Sequence, residues 1–159
     1  MAMSKTDKLS HYAIVFIAVM AVVVSIWQVR ISQEHNKLSV KPFMDSFTGW
    51  VSAEEWMITL TNEGVGPAII VGIDYNVNGK TYKNWDSVFE AMELERSRRT
   101  ASYNFDYPSP FATEKKINFL GLKLTEEEYR GTLKGNMGVE AIIYYESIYK
   151  EPFKSVITF

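Results

Sequence analysis

Between His11 and Arg30 the chain reads YAIVFIAVMAVVVSIWQV, a run without charge whose polar interruptions are Ser25 and Gln28. As a helix rising about 1.5 Å per residue, it covers close to the ~30 Å hydrocarbon thickness of a bilayer. Tyr12 and Trp27 bracket it, where amphipathic rings prefer the headgroup level. A cleaved signal peptide is the competing reading, but the apolar run is long and no small-x-small cleavage site follows it. An uncleaved membrane anchor is therefore expected. Lys5 and Lys8, with the amino terminus, precede the span, and Arg30, Lys37 and Lys41 follow it. That near tie in basic residues tilts toward a cytoplasmic C-terminal domain.

Residues 28–37, QVRISQEHNK, contain no helix breaker and are expected to continue the helix out of the bilayer. Pro42 ends that tendency, because its ring disfavours helical geometry in the residue before it. The texture then becomes β. In EEWMITLTNEG, Trp56, Ile58 and Leu60 fall on one face and Met57, Thr59 and Thr61 on the other. Ile69, Val71, Ile73, Tyr75 and Val77 alternate with Ile70, Gly72, Asp74 and Asn76, which predicts a second strand. Asn78-Gly79 follows, the dipeptide best suited to a type I′ turn, with Lys80 to Lys83 returning as the partner strand.

Trp85, Val88, Phe89 and Met92 recur at helical spacing in NWDSVFEAMELERSRR and predict a short amphipathic helix. Tyr103, Phe105 and Tyr107 alternate as in a strand until Pro108 and Pro110 stop the pattern, and KINFLGL supplies another strand. Thr125 to Glu128 fits a capping box opening a helix that runs to about Lys134. VEAIIYYESIY and FKSVITF, joined by a turn at Lys150 to Pro152, close the chain as two strands. About seven short strands with one or two short helices argue for a mainly β protein, an antiparallel immunoglobulin-like sandwich. We divide the chain into an N-terminal tail (1–11), a transmembrane helix (12–29), a juxtamembrane helix and linker (30–41) and a β-sandwich domain (42–159).

The pair of glycines in TNEGVGPAII raises the question of a phosphate-binding loop. A dinucleotide fingerprint needs G-x-G-x-x-G leading straight into a helix, and here Pro67 follows Gly66 and Ile69 stands at the third glycine position. Gly64 and Gly66 are instead expected to supply positive φ at a chain reversal, with Pro67 setting up the next strand. Asn78 and Gly79 are the second such structural turn.

HNKLSVKPF (35–43), the NEGVGPAII turn and YESIY (145–149) together resemble a large, uncharacterised group of bacterial single-pass membrane proteins. In that group an N-terminal helix carries one immunoglobulin-like β-sandwich. The resemblance spans most of the chain from Trp27 onward, and it implies a bacterial inner-membrane location. Its motifs are architectural and imply no activity. Lys150 departs from the group, which carries a glycine there.

The absence of cysteine removes disulfides, thiolate nucleophiles and thiolate metal sites. With 19 acidic residues against 17 basic ones, no general attraction to nucleic acid is expected. His11 and His35 lie on opposite sides of the span, so no Ser-His or Cys-His nucleophile system assembles. Glu126, Glu127 and Glu128 suit the first turn of a helix, and Glu90, Glu93 and Glu95 a solvated helical face. Asp74 and Asp86 are isolated. No catalytic residue, metal site or cofactor is expected.

The dense basic cluster RSRR places Arg96, Arg98 and Arg99 together at the predicted helix end, where cations offset the dipole. Contact with anionic lipid headgroups is the functional alternative. Ala21 and Ser25 form a small-x-x-x-small pair through which two spans could form a homo-oligomer. The leading expectation is a membrane-tethered module that binds or scaffolds a protein partner. The alternative is a sensor for a small anionic ligand held among Arg96, Arg98, Arg99, Lys115 and Lys116.

Overall fold

The structure, a computed structural model, describes residues 5–132 and 139–158. The chain divides into two compact units, Met1–Ser39 and Val40–Phe159. The first holds one helix, α1 (Lys5–Leu38), 34 residues and about 51 Å long. Helix therefore begins inside the expected N-terminal tail and runs unbroken through the juxtamembrane stretch. Its Leu9–Leu38 portion is long and apolar enough to cross a membrane, and none of the apolar window there is buried by the protein. The Ser25 hydroxyl donates to the Ala21 carbonyl at 2.8 Å, so this donor is spent within its own helix. The helix stops as the Ser39 hydroxyl turns back to the Asn36 carbonyl at 2.8 Å, three residues before Pro42.

The second unit is a two-sheet antiparallel sandwich. Its elements are β1 (Met44–Ser52), β2 (Glu55–Asn62), β3 (Ala68–Val77), β4 (Lys80–Tyr82), α2 (Trp85–Ala91) and β5 (Arg99–Ser102). They continue as β6 (Ser109–Phe111), β7 (Lys116–Lys123), α3 (Glu126–Thr132), β8 (Val139–Glu146) and β9 (Pro152–Thr158). One sheet has the order β1-β2-β7-β5 and the other β4-β3-β8-β9, with β6 paired to the start of β3. Read as immunoglobulin strands, these are A-B-E-D and C′-C-F-G. The core lies between the sheets. Trp56, Ile58 and Leu60 of β2 are all buried, as their alternation requires, and face Ile73, Tyr75 and Val77 of β3 in one cluster. α2 plugs one side with Trp85, whose ring meets Tyr75 at 4.4 Å and Phe119 at 5.1 Å.

Several expectations meet their structure directly. Asn78 and Gly79 have φ of 51° and 77°, the type I′ values, and β4 pairs back on β3. The Thr125 hydroxyl accepts from the Glu128 amide, and the Glu128 carboxylate accepts from the Thr125 amide at 2.8 Å, which is the capping box. The predicted end of that helix, near Lys134, lies outside the described residues.

Others are corrected. In β3 the burial phase reverses at a bulge between Ile70 and Gly72: Ile70 is buried, Val71 is 41% exposed, and burial resumes at Ile73. The helix from Trp85 ends at Ala91, well short of the arginines. Glu93 adopts φ 53° beyond the C-cap Met92, and the Glu93 and Leu94 amides donate back to Glu90 and Phe89. That is a Schellman closure made without glycine, hence invisible in the sequence. Tyr103, Phe105 and Tyr107 lie outside any strand, and β5 instead occupies residues 99–102. Pro110 does not stop strand formation either; it sits in β6, a short piece at the β3 edge, where a missing amide is tolerated.

Lys150 closes the β8–β9 turn with φ 59°, in the left-handed region that suits glycine. A Cβ in that region costs about 1–2 kcal/mol, partly offset by the extra freedom of unfolded glycine. Lys150→Gly is therefore expected to stabilise the domain by up to about 1 kcal/mol, read as a higher melting temperature.

Candidate functional site

The arginines gather at the end of the sandwich away from where the chain joins it. Arg96 and Arg98 form a single 3₁₀ turn (Arg96–Arg98) and Arg99 begins β5, so no helix dipole explains them. Their chemistry is taken up by carboxylates. Arg98 Nη1 meets Glu128 Oε1 at 2.8 Å, and Arg99 Nη1 meets Asp86 Oδ1 at 2.8 Å while its guanidinium lies 5.5 Å from the Phe89 ring. Arg96 is exposed. A cleft of about 410 Å³ opens here, lined by Glu54, Ser97, Arg98, Lys123, Thr125 and Glu128. Lys123 and Glu54 face each other across it at 3.8 Å. Two cations and two carboxylates leave the cleft without net charge.

The Glu128 carboxylate accepts from both Thr125 and Arg98. The Thr125 amide first, and then the Arg98 guanidinium, hold its carboxyl at about 2, well below the ordinary glutamate range. A depressed folded-state value means that the stabilisation is complete above the unfolded value of about 4.3 and vanishes as pH falls through about 2. The melting temperatures of the native protein and Glu128→Gln should thus differ most at neutral pH and converge between pH 4 and 2. Behind this cleft, the Tyr129 ring of α3 packs against Trp50 at 5.7 Å and Trp56 at 5.3 Å, which seats α3 on the sheet.

Lys115 and Lys116 do not join the arginines. Lys116 pairs with Thr61 and Leu122 with Arg99, so about 20 Å of β7 separates the two groups. Asp74 and Asp86 are paired with Lys83 and Arg99. His11 and His35 lie on α1 about 36 Å apart along its axis. Among the described residues no three His, Asp or Glu side chains come together as a metal site would need.

The most tightly built feature lies at the other end, where the chain enters the sandwich. Asn62 is fully buried, and its side chain makes four hydrogen bonds. Its Oδ1 accepts from the amides of Phe43 (3.2 Å) and Gly64 (3.1 Å). Its Nδ2 donates to the carbonyls of Gly66 (2.9 Å) and Phe111 (3.2 Å). The Glu63 amide donates to Phe43 O at 2.8 Å, and Lys41 Nζ lies 5.6 Å from the Phe153 ring.

This arrangement corrects the reading of Gly64 and Gly66. Neither has positive φ; among the described glycines only Gly79 does. They are glycine because segment 40–43 lies directly on their backbone. A Cβ on Gly64 would stand 2.3 Å from Phe43 N, and one on Gly66 1.9 Å from Val40 O. Asn62 carries the turn, and the cue available was a lone Asn at the end of a buried strand beside two glycines. No protein-family model and no curated protein matches the chain.

Proposed function

We propose that the chain is a single-pass membrane protein whose sandwich binds or scaffolds a protein partner and performs no catalysis. Two observations carry this: a helix whose Leu9–Leu38 portion is long and apolar enough to cross a membrane, and, within the following domain, a clamp that locks segment 40–43 onto the sandwich. A partner engaging the domain would be held at a fixed chain distance from the bilayer. The outer face of the β3–β8–β9 sheet supports a binding role. Tyr144 and Val156 lie diagonally across it, 37% and 49% exposed, and β9 is the last strand of its sheet. The resemblance in HNKLSVKPF and NEGVGPAII favours a bacterial inner membrane, and the basic residues after the span favour a cytoplasmic domain.

The test is purification of the full chain from its native membrane in mild detergent. A partner should co-purify, and Tyr144→Ala with Val156→Glu should lose it while the melting temperature stays near that of the native protein. Recovery of the chain alone, without stoichiometric partner, would contradict the proposal. The sensor reading, with an anion among Arg96, Arg98 and Arg99, is disfavoured because an incoming anion must displace Glu128 from Arg98 and Asp86 from Arg99. A thermal-shift screen with small anions separates the two, since a ligand of the folded state must raise the melting temperature.

A further inference from the structure

Four loops or segments meet at the end of the sandwich where the chain enters it: 40–43, 63–67, 112–115 and 147–151. The registers place them together, with Met44 opposite Asn62, Thr61 opposite Lys116, and Glu146 opposite both Ile69 and Pro152. Three of them expose large apolar side chains: Phe43 is 57% exposed, Val65 68%, Ile148 49% and Tyr149 47%. These side chains stand on ordered backbone. Val65 sits between the two clamped glycines, and the buried Ser147 hydroxyl accepts from the amides of Tyr149 (3.2 Å) and Glu151 (3.3 Å). The ionic residues of this end are balanced, with Lys41, Lys115 and Lys150 against Glu63, Glu114 and Glu151.

The helix length bears on what this end meets. Leu9–Leu38 has 30 residues, or about 45 Å of rise, against about 40–45 Å for a bilayer with its headgroups. The domain begins at Val40, two residues later. We infer that this end of the sandwich is a lipid-contact surface, with Phe43, Val65, Ile148 and Tyr149 seated among the lipid headgroups. The inference rests on the reading of α1 as a membrane span. Apolar and aromatic tips without net charge suit the interfacial zone of zwitterionic lipid, so the contact is insensitive to salt and to anionic lipid. It also moves lipid contact away from the arginines, which lie at the opposite end, about 23 Å along β2.

The chain has no cysteine, so single labels can be introduced cleanly. Val65→Cys, Ile148→Cys, Lys80→Cys at the far hairpin and Val22→Cys in the span would each carry a nitroxide in the full chain. The proteins would be reconstituted in phosphatidylcholine vesicles and read by accessibility to oxygen and to an aqueous nickel chelate. Labels at 65 and 148 should show several-fold lower chelate accessibility than the label at 80, unchanged at high salt, with 22 deepest. If 22 is deep while 65 and 148 match 80, the lipid-contact surface is refuted and the span stands. If 22 itself is open to the chelate, the span fails and this inference with it.

Discussion

Gly66→Ala should unfold most of what holds the sandwich to its incoming chain. The new Cβ would lie 1.9 Å from Val40 O, 2.3 Å from Val40 C and 2.7 Å from Val40 Cα. All three are backbone atoms, so no rotamer change relieves the overlap. Segment 40–43 must lift away, which breaks the Phe43 amide's bond to Asn62 and the Glu63 amide's bond to Phe43 O. Overpacking alone costs about 1–3 kcal/mol, and the lost buried hydrogen bonds bring the total to roughly 3–5 kcal/mol. For a domain of this size that is a fall in melting temperature on the order of 15 °C. Gly79→Ala is the matched control. Its φ of 77° strains a side chain, but nothing lies within 4 Å of the added Cβ, so the loss is only about 1 kcal/mol. Equal losses at the two positions would refute the close-approach explanation.

The second large effect is expected at Asn62. Alanine there leaves the Phe43 and Gly64 amides and the Gly66 and Phe111 carbonyls without their partner in a fully buried place. At about 1–3 kcal/mol for each orphaned group, less what water entering the gap restores, the loss is on the order of 4 kcal/mol. Aspartate can still accept from the Phe43 and Gly64 amides but cannot donate to the two carbonyls, and it buries a charge. Asn62→Asp should therefore be at least as damaging as Asn62→Ala at neutral pH. Urea denaturation of each variant gives the comparison, and a loss below 1 kcal/mol for either would show that the amide is dispensable.

Much of this architecture can be read from residues. The helix follows from an uncharged run, β2 from the alternation of Trp56, Ile58 and Leu60, the hairpin from Asn78-Gly79, and the start of α3 from Thr125 and Glu128. Each is a local rule with a local cause. What the sequence hides depends on contacts between distant segments. The bulge in β3 shifts one residue out of phase because β8 pairs differently on either side of it. Glu93 is the local exception: it takes a left-handed conformation as Leu94 and Phe89 close the helix, with no glycine to announce it. Gly64 and Gly66 look like turn glycines until segment 40–43, more than 20 positions earlier, is seen to lie on them. The arginines look free in sequence because Asp86 and Glu128, 13 and 30 residues away, come to them only in the fold.

The exposed apolar end could not be anticipated for the same reason. Phe43, Val65, Ile148 and Tyr149 belong to separate turns, and only the strand registers bring those turns to one end.

Membrane extraction tests the tether most directly. Membranes from cells making the full chain are washed with alkaline carbonate and with urea, and the pellet is analysed by intact mass. With α1 spanning the bilayer, the 18.2 kDa chain stays in the washed pellet uncleaved and leaves only with detergent. Release of that intact chain into the aqueous wash, or recovery of a shorter chain lacking residues 12–29, would contradict a permanent anchor.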